Sequence, residues 1–143
     1  MPTVFVLNGP NLNLLGLREP ETYGRATLDD IARELHARSE ELGLELDMRQ
    51  SNHEGHLIDW LHEAAREGAK AVLLNPGGYS HTSVALRDAV AAVSVPVIEL
   101  HLSNPHAREP FRQRSLISAV ARGTIAGFGP LSYRLALDAA ALL

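Results

Sequence analysis

Apolar positions fall into short unbroken runs separated by longer stretches with a helical repeat. Thr3 to Asn8 is the first run and reads as a strand, followed by a long loop from Gly9 to Arg25. The next stretch, Thr27 to Leu42, places Leu28, Ile31, Ala32 and Leu35 on one stripe, with Thr27 as N-cap and Asp29 and Asp30 in the first turn. Gly43 then stops the helix. Leu44 to Gln50 alternates Leu44, Leu46 and Met48 with Glu45, Asp47 and Arg49, the signature of a half-exposed edge strand. Asn52 is a candidate cap for a second helix running through Glu67, with Leu57, Ile58, Leu61, Ala64 and Ala65 inward and Gly68 at its end. Ala69 to Asn75 is continuously apolar, as a central parallel strand must be. A turn from Pro76 to His81 leads to a third helix over Thr82 to Val93, with Ser80 or Thr82 as its cap. Pro96 to His101 reads as the fourth strand, Leu102 to Pro110 as a polar loop and Gly123 to Phe128 as the fifth strand. Pro130 opens a last helix rich in alanine and leucine.

Strands that alternate with helical crossovers predict an α/β fold. For five strands the expectation is a flavodoxin-like doubly wound parallel sheet of order 2-1-3-4-5, with the alternating second strand at an edge. The 143 residues suffice for a single domain over 1–143 and are too few for two. Hydrophobic residues at 45% and charged residues at 21% are the balance of a globular chain. The absence of cysteine excludes disulfides, thiolate metal sites and thiol nucleophiles. No basic-then-apolar leader follows Met1, and no apolar run reaches the roughly 20 residues of a membrane span, so a cytoplasmic protein without a membrane partner is expected. The net charge of -4 argues against a nucleic-acid partner. Among the basic residues only Lys70 is lysine. Arginine's planar fork suits carboxylates, although a genomic bias gives the same composition.

In such sheets ligands bind beyond the carboxyl ends of the strands. Asn8, Asn75 and His101 end the first, third and fourth strands, and the loops leaving them carry Asn11, Arg18 and Tyr23, then His81, then Ser103, Asn104, His106, Arg108 and Arg112. The opposite edge carries little beyond Lys70. Asn8-Gly9-Pro10-Asn11-Leu12 is either a plain tight turn or part of a site, and the long loop after it has the length of a lid. Gly77 and Gly78 before a helix start favour either an anion or an ordinary strand-to-helix turn. Glu99 and His101 share one strand face, so the carboxylate can orient the imidazole. His36, His53, His56 and His62 read as surface residues, and His101 with His106 lacks zinc spacing. There is no dinucleotide fingerprint or Walker loop, no receiver-type aspartate after strand three, and no lysine on the ligand edge for an imine. Acid–base chemistry on a small anion, without a cofactor, is what remains.

Asn8-Gly9-Pro10-Asn11-Leu12-Asn13-Leu14-Leu15-Gly16, Arg18-Glu19-Pro20 and Tyr23-Gly24 resemble the amino-terminal signature of type II 3-dehydroquinate dehydratases. Gln50-Ser51-Asn52, Asn75-Pro76-Gly77, His81 to Asp88, Glu99 to Asn104, His106 to Glu109 and Gly127-Phe128-Gly129 are similar to its later blocks, in order and along essentially the whole chain. The resemblance implies a lyase that converts 3-dehydroquinate to 3-dehydroshikimate by anti elimination through an enolate, in the shikimate pathway or in quinate catabolism. It implies Tyr23 as base, His101 as acid and Arg18 as activator of the tyrosine. It implies Asn75, His81, Arg112 and the backbone at Leu102 and Ser103 as holders of substrate. It further implies no metal or cofactor, and a homo-oligomer, a dodecamer built from trimers, in which Asp88 reaches a neighbouring site. Pro105, Arg114, Leu116, Pro130 and Ser132 depart from the family pattern and bear on loop shape and subunit packing. Two rivals stand beside this reading. One is a serine hydrolase, since Gly78-Tyr79-Ser80-His81 is a partial nucleophile elbow whose second glycine is replaced by Thr82. The other is a flavodoxin-like binding or signalling module.

Overall fold

The computed structural model of the chain describes residues 1–17, 19, 21 and 24–143. Its strands are β1 (Thr3–Asn8), β2 (Glu45–Gln50), β3 (Ala71–Asn75), β4 (Val97–His101) and β5 (Gly123–Ala126). They form one parallel sheet in the flavodoxin-like order β2-β1-β3-β4-β5. The helices are α1 (Leu28–Glu41), α2 (Glu54–Arg66), α3 (Tyr79–Thr82), α4 (Val84–Ala92) and α5 (Leu131–Ala141).

The pleat divides the core in two. Val4, Val6, Leu73 and Leu100 face Ile31 and Leu35 of α1 and Tyr133, Ala136 and Leu137 of α5. Phe5, Leu7, Val72 and Leu74 face Leu57 and Leu61 of α2 and Leu86 and Val90 of α4. Burial of each leucine on these faces contributes about 1.5–3 kcal/mol. On β4 the second face changes character, because Val97 is followed two and four residues on by Glu99 and His101. The segment carrying Ser115 and Ser118 covers that polar stripe, with Ile117 fully buried among the apolar residues of the same side.

Three local expectations are corrected. Thr27 caps α1 as read, with a full capping box to Asp30. The second helix, however, starts after His53, and Asn52 does not cap it; the Asn52 side chain accepts from the Asn11 backbone N–H at 3.0 Å. Ser51 takes the local bond instead, accepting from His53 N at 3.0 Å. The predicted third helix is broken at Ser83, which caps α4 by accepting from Leu86 N at 2.9 Å and donates to the Glu54 carboxylate. Neither Ser80 nor Thr82 is that cap. The turn before it yields only the four-residue α3, whose short dipole gives little of the expected attraction for an anion. The strand expected over Gly123 to Phe128 ends at Ala126. His36, His53, His56 and His62 are all on the surface.

Candidate active site

Two turns leave the sheet side by side. Gly9 N–H donates to the Asn75 carbonyl at 2.8 Å, and a Cβ on Gly9 would lie 2.6 Å from the Pro76 carbonyl oxygen. Gly77, at φ +57°, is less crowded, and a Cβ there would lie 3.2 Å from the Pro10 ring and 3.3 Å from its carbonyl oxygen. Glycine is required at Gly9 by the close approach of the neighbouring backbone and at Gly77 by its left-handed conformation. Asn11 beyond the first turn takes a left-handed conformation (φ 68°) that asparagine tolerates better than most residues.

These turns and the loop after β4 enclose a cavity of about 200 Å³ at the carboxyl rim. Asn11, Asn75, His81, His101, Leu102, Ser103 and Arg112 all line it, as the sequence reading expected. Arg108 lines it too; the sequence places it on the ligand edge in the loop after β4 without giving it a role. Pro105, one of the departures from the family pattern, also forms part of the wall. Asp88 does not line this cavity; it lies on α4 with its carboxylate 2.9 Å from Arg87. Arg18 and Tyr23 lie outside the described residues.

His101 and Glu99 form the most constrained pair at the rim. His101 Nε2 lies 2.6 Å from Glu99 Oε2, and the Glu99 side chain is wholly buried. Ser115 and Ser118 donate their hydroxyls to the same carboxylate at 2.7 and 2.5 Å, and Thr124 of β5 donates at 3.4 Å. Burial by itself would push the Glu99 carboxyl up, but the bonds from His101, Ser118 and Ser115 together outweigh it and hold the group below its usual range. A carboxylate accepts only, so Nε2 carries the hydrogen, and Nδ1 is the nitrogen left without a partner among the described residues. The serines were not anticipated, since the segment that bears them shows no hydrophobic period.

The His81 Nδ1 lies 2.8 Å from the carbonyl of Arg114, which likewise makes Nδ1 the donor. Ser80 is fully buried and donates its hydroxyl to the Gly77 carbonyl at 2.9 Å. A serine so committed and enclosed is not poised as a nucleophile, which removes the support for a hydrolase. Arg112 is held to both oxygens of Glu109 at 3.1–3.2 Å, so an incoming anion competes with one internal carboxylate for it. Ser132, another departure, is fully buried and accepts from Phe128 N at 3.1 Å, so it is accommodated without an unpaired hydroxyl.

The Dehydroquinase class II family model matches residues 2–141. A 3-dehydroquinate dehydratase of Rhizobium johnstonii is 61% identical over 137 residues, 96% of this chain and 94% of that protein. The crystal structure of type II dehydroquinase from Propionibacterium acnes is similar at 44% identity and a TM-score of 0.96, covering 100% of this chain and 98% of that one. That of the type II dehydroquinase from Butyrivibrio crossotus gives 40% and 0.95, with 97% of each chain covered. Sequence blocks, sheet order and the site at the rim thus converge, and the chain belongs to the class II dehydroquinase family.

Proposed function

We propose that the chain dehydrates 3-dehydroquinate to 3-dehydroshikimate. Tyr23, as phenolate, removes a proton from C2, and the electron pair of that C–H bond passes into the enolate of the C3 ketone. When the enolate collapses, the C1–C2 double bond forms and the C1–O bond breaks. His101 delivers the proton with which the hydroxyl leaves as water. Arg18 lowers the cost of the phenolate, because a cation within about 4–6 Å favours the charged form of a phenol whose free pKa is about 10. The roles of Tyr23 and Arg18 rest on the matching motifs at those positions.

The observation that carries the reading is His101 at the cavity wall, with the buried Glu99 carboxylate 2.6 Å behind it. Glu99 fixes the ring through Nε2, which leaves Nδ1 to meet the leaving hydroxyl. Asn75 supports the enolate oxygen, directly or through water, and His81, Arg112 and the backbone at Leu102 and Ser103 hold the hydroxyls and carboxylate. The chemistry asks for no metal or cofactor. A trimer-based dodecamer, with Asp88 completing a neighbouring site, is part of the same proposal.

Absorbance of the conjugated enone formed from 3-dehydroquinate tests the activity. Tyr23→Phe and His101→Ala should each lower turnover by about 10²–10⁴-fold with the fold intact by circular dichroism. Near-normal rates in either variant would remove that residue from its role.

A further inference from the structure

Asn8 and Asn75 stand opposite each other in the β1–β3 register, at the last residue of both strands. Tyr133, in the first turn of α5, lies fully buried between them. Its hydroxyl is 2.6 Å from Asn8 Oδ1 and 2.9 Å from Asn75 Nδ2. The far ends of both amides are engaged by backbone. Asn8 Nδ2 donates to the Arg49 carbonyl at 2.9 Å, and Asn75 Oδ1 accepts from Gly77 N at 3.3 Å.

Each link in this row has a single allowed polarity. The Arg49 carbonyl can only accept, so Asn8 must present its NH₂ there and its oxygen to Tyr133. That oxygen can only accept, so the phenol must spend its one hydrogen on it. Towards Asn75 the phenol oxygen can then only accept, which requires the NH₂ of Asn75. The Gly77 N–H at the other end demands the same orientation. Burial pushes the Tyr133 hydroxyl up, which keeps the proton on the phenol as the row needs. Asn75 lines the cavity and Asn8 does not, so the second hydrogen on the Asn75 NH₂, which the row does not use, is the one that bound substrate can meet.

We propose that Tyr133, which does not line the cavity, is a positioning residue: it fixes the orientation of the Asn75 amide so that this side chain donates to bound substrate and cannot accept from it. The consequence for rate rests on the dehydration proposed above. A flipped amide would turn its carbonyl oxygen towards the developing enolate, replacing stabilisation by repulsion.

Tyr133→Phe removes the polarity and leaves the ring. Its kcat should fall about 10- to 100-fold, with KM moved by less than about threefold. In an Asn75→Ala background the same change should alter kcat by less than about twofold, because no amide remains to orient. An equal loss in both backgrounds would show a general packing effect and overturn the proposal. Asn8→Ala keeps the phenol and frees its hydrogen, so it should reproduce the kcat-selective loss even if Tyr133→Phe folds poorly; unchanged kcat there also overturns the idea. A second readout needs no turnover. In ¹⁵N-labelled protein, one Asn75 side-chain amide hydrogen should be protected from exchange and lose that protection in Tyr133→Phe. Fast exchange in the unaltered protein would reject the row. Should the unaltered protein fail to convert 3-dehydroquinate, the dehydration reading falls and the exchange experiment still decides the polarity.

Discussion

At the scale of single residues, the most consequential group is one that lines no part of the rim cavity. Glu99 is wholly buried and collects the imidazole of His101 and three hydroxyls. Its carboxyl is held below the ordinary value of 4.5. A depressed carboxylate contributes stability that is present above the unfolded-state value and is lost as pH falls through the lower, folded-state value. Glu99→Gln should therefore cost about 1.5–3 kcal/mol at pH 7 by urea unfolding, since bonds to a charged acceptor are lost. The gap to the unaltered protein should close as pH drops below about 4.5. A gap that stays constant down to acid pH would mean that the charge contributes nothing. The Glu99–His101 pair was legible in the sequence because residues two apart on a strand share a face. Tyr133 was not legible, for it sits in a helix of alanines and leucines where an aromatic reads as one more core residue. Ser115 and Ser118 were equally silent, because a loop serine gives no hint of which buried charge it will reach.

At the scale of elements, the central strands declared themselves through unbroken apolar runs and β2 through alternation, both consequences of how many faces each strand buries. The boundaries that failed are those decided by distant partners. Ser83 won the cap of α4 over Thr82 in part because Glu54, on another helix, meets its hydroxyl. Tyr79 ties α3 down by donating to the Asn52 carbonyl at 2.7 Å, a contact across 27 positions that no local pattern contains. The two rim turns are joined still more tightly. Gly9→Ala would set a methyl against the Pro76 carbonyl, an atom of rigid backbone. That substitution should destabilise the chain by about 1–3 kcal/mol. It should also weaken substrate binding, because the turns that carry Asn11 and Asn75 must separate. Thermal unfolding together with KM checks both; Gly55→Ala, where a Cβ meets nothing within 4 Å, serves as the control.

At the scale of the whole molecule, sheet order and the location of the cavity followed from counting strands and asking where loops leave them, which is topology and needs no side-chain detail. Assembly is decided at the surface rather than by topology. Phe128, Leu131 and Leu17 are among the large apolar side chains left on the surface, the kind of area that subunit contacts would cover. Among the described residues no helix is long and apolar enough to cross a membrane. The proposed reach of Asp88 into another subunit's site has a direct check. Asp88→Ala and His101→Ala should each be impaired alone, yet chains unfolded together and refolded as a mixture should regain turnover above the sum of the two. No gain on mixing would confine Asp88 to its own chain.

The contrast between the two kinds of charge around the cavity has a further consequence. Arg108 and Arg112 stand in its wall, where dissolved ions can enter, whereas the carboxylate behind His101 is sealed beneath three hydroxyls and a strand. Counterions at physiological ionic strength, with a Debye length of about 8 Å, screen accessible charges and leave buried ones nearly untouched. Salt therefore loosens the grip on an incoming anion while the imidazole stays aligned, so capture of the substrate and delivery of the proton answer to the ionic medium separately.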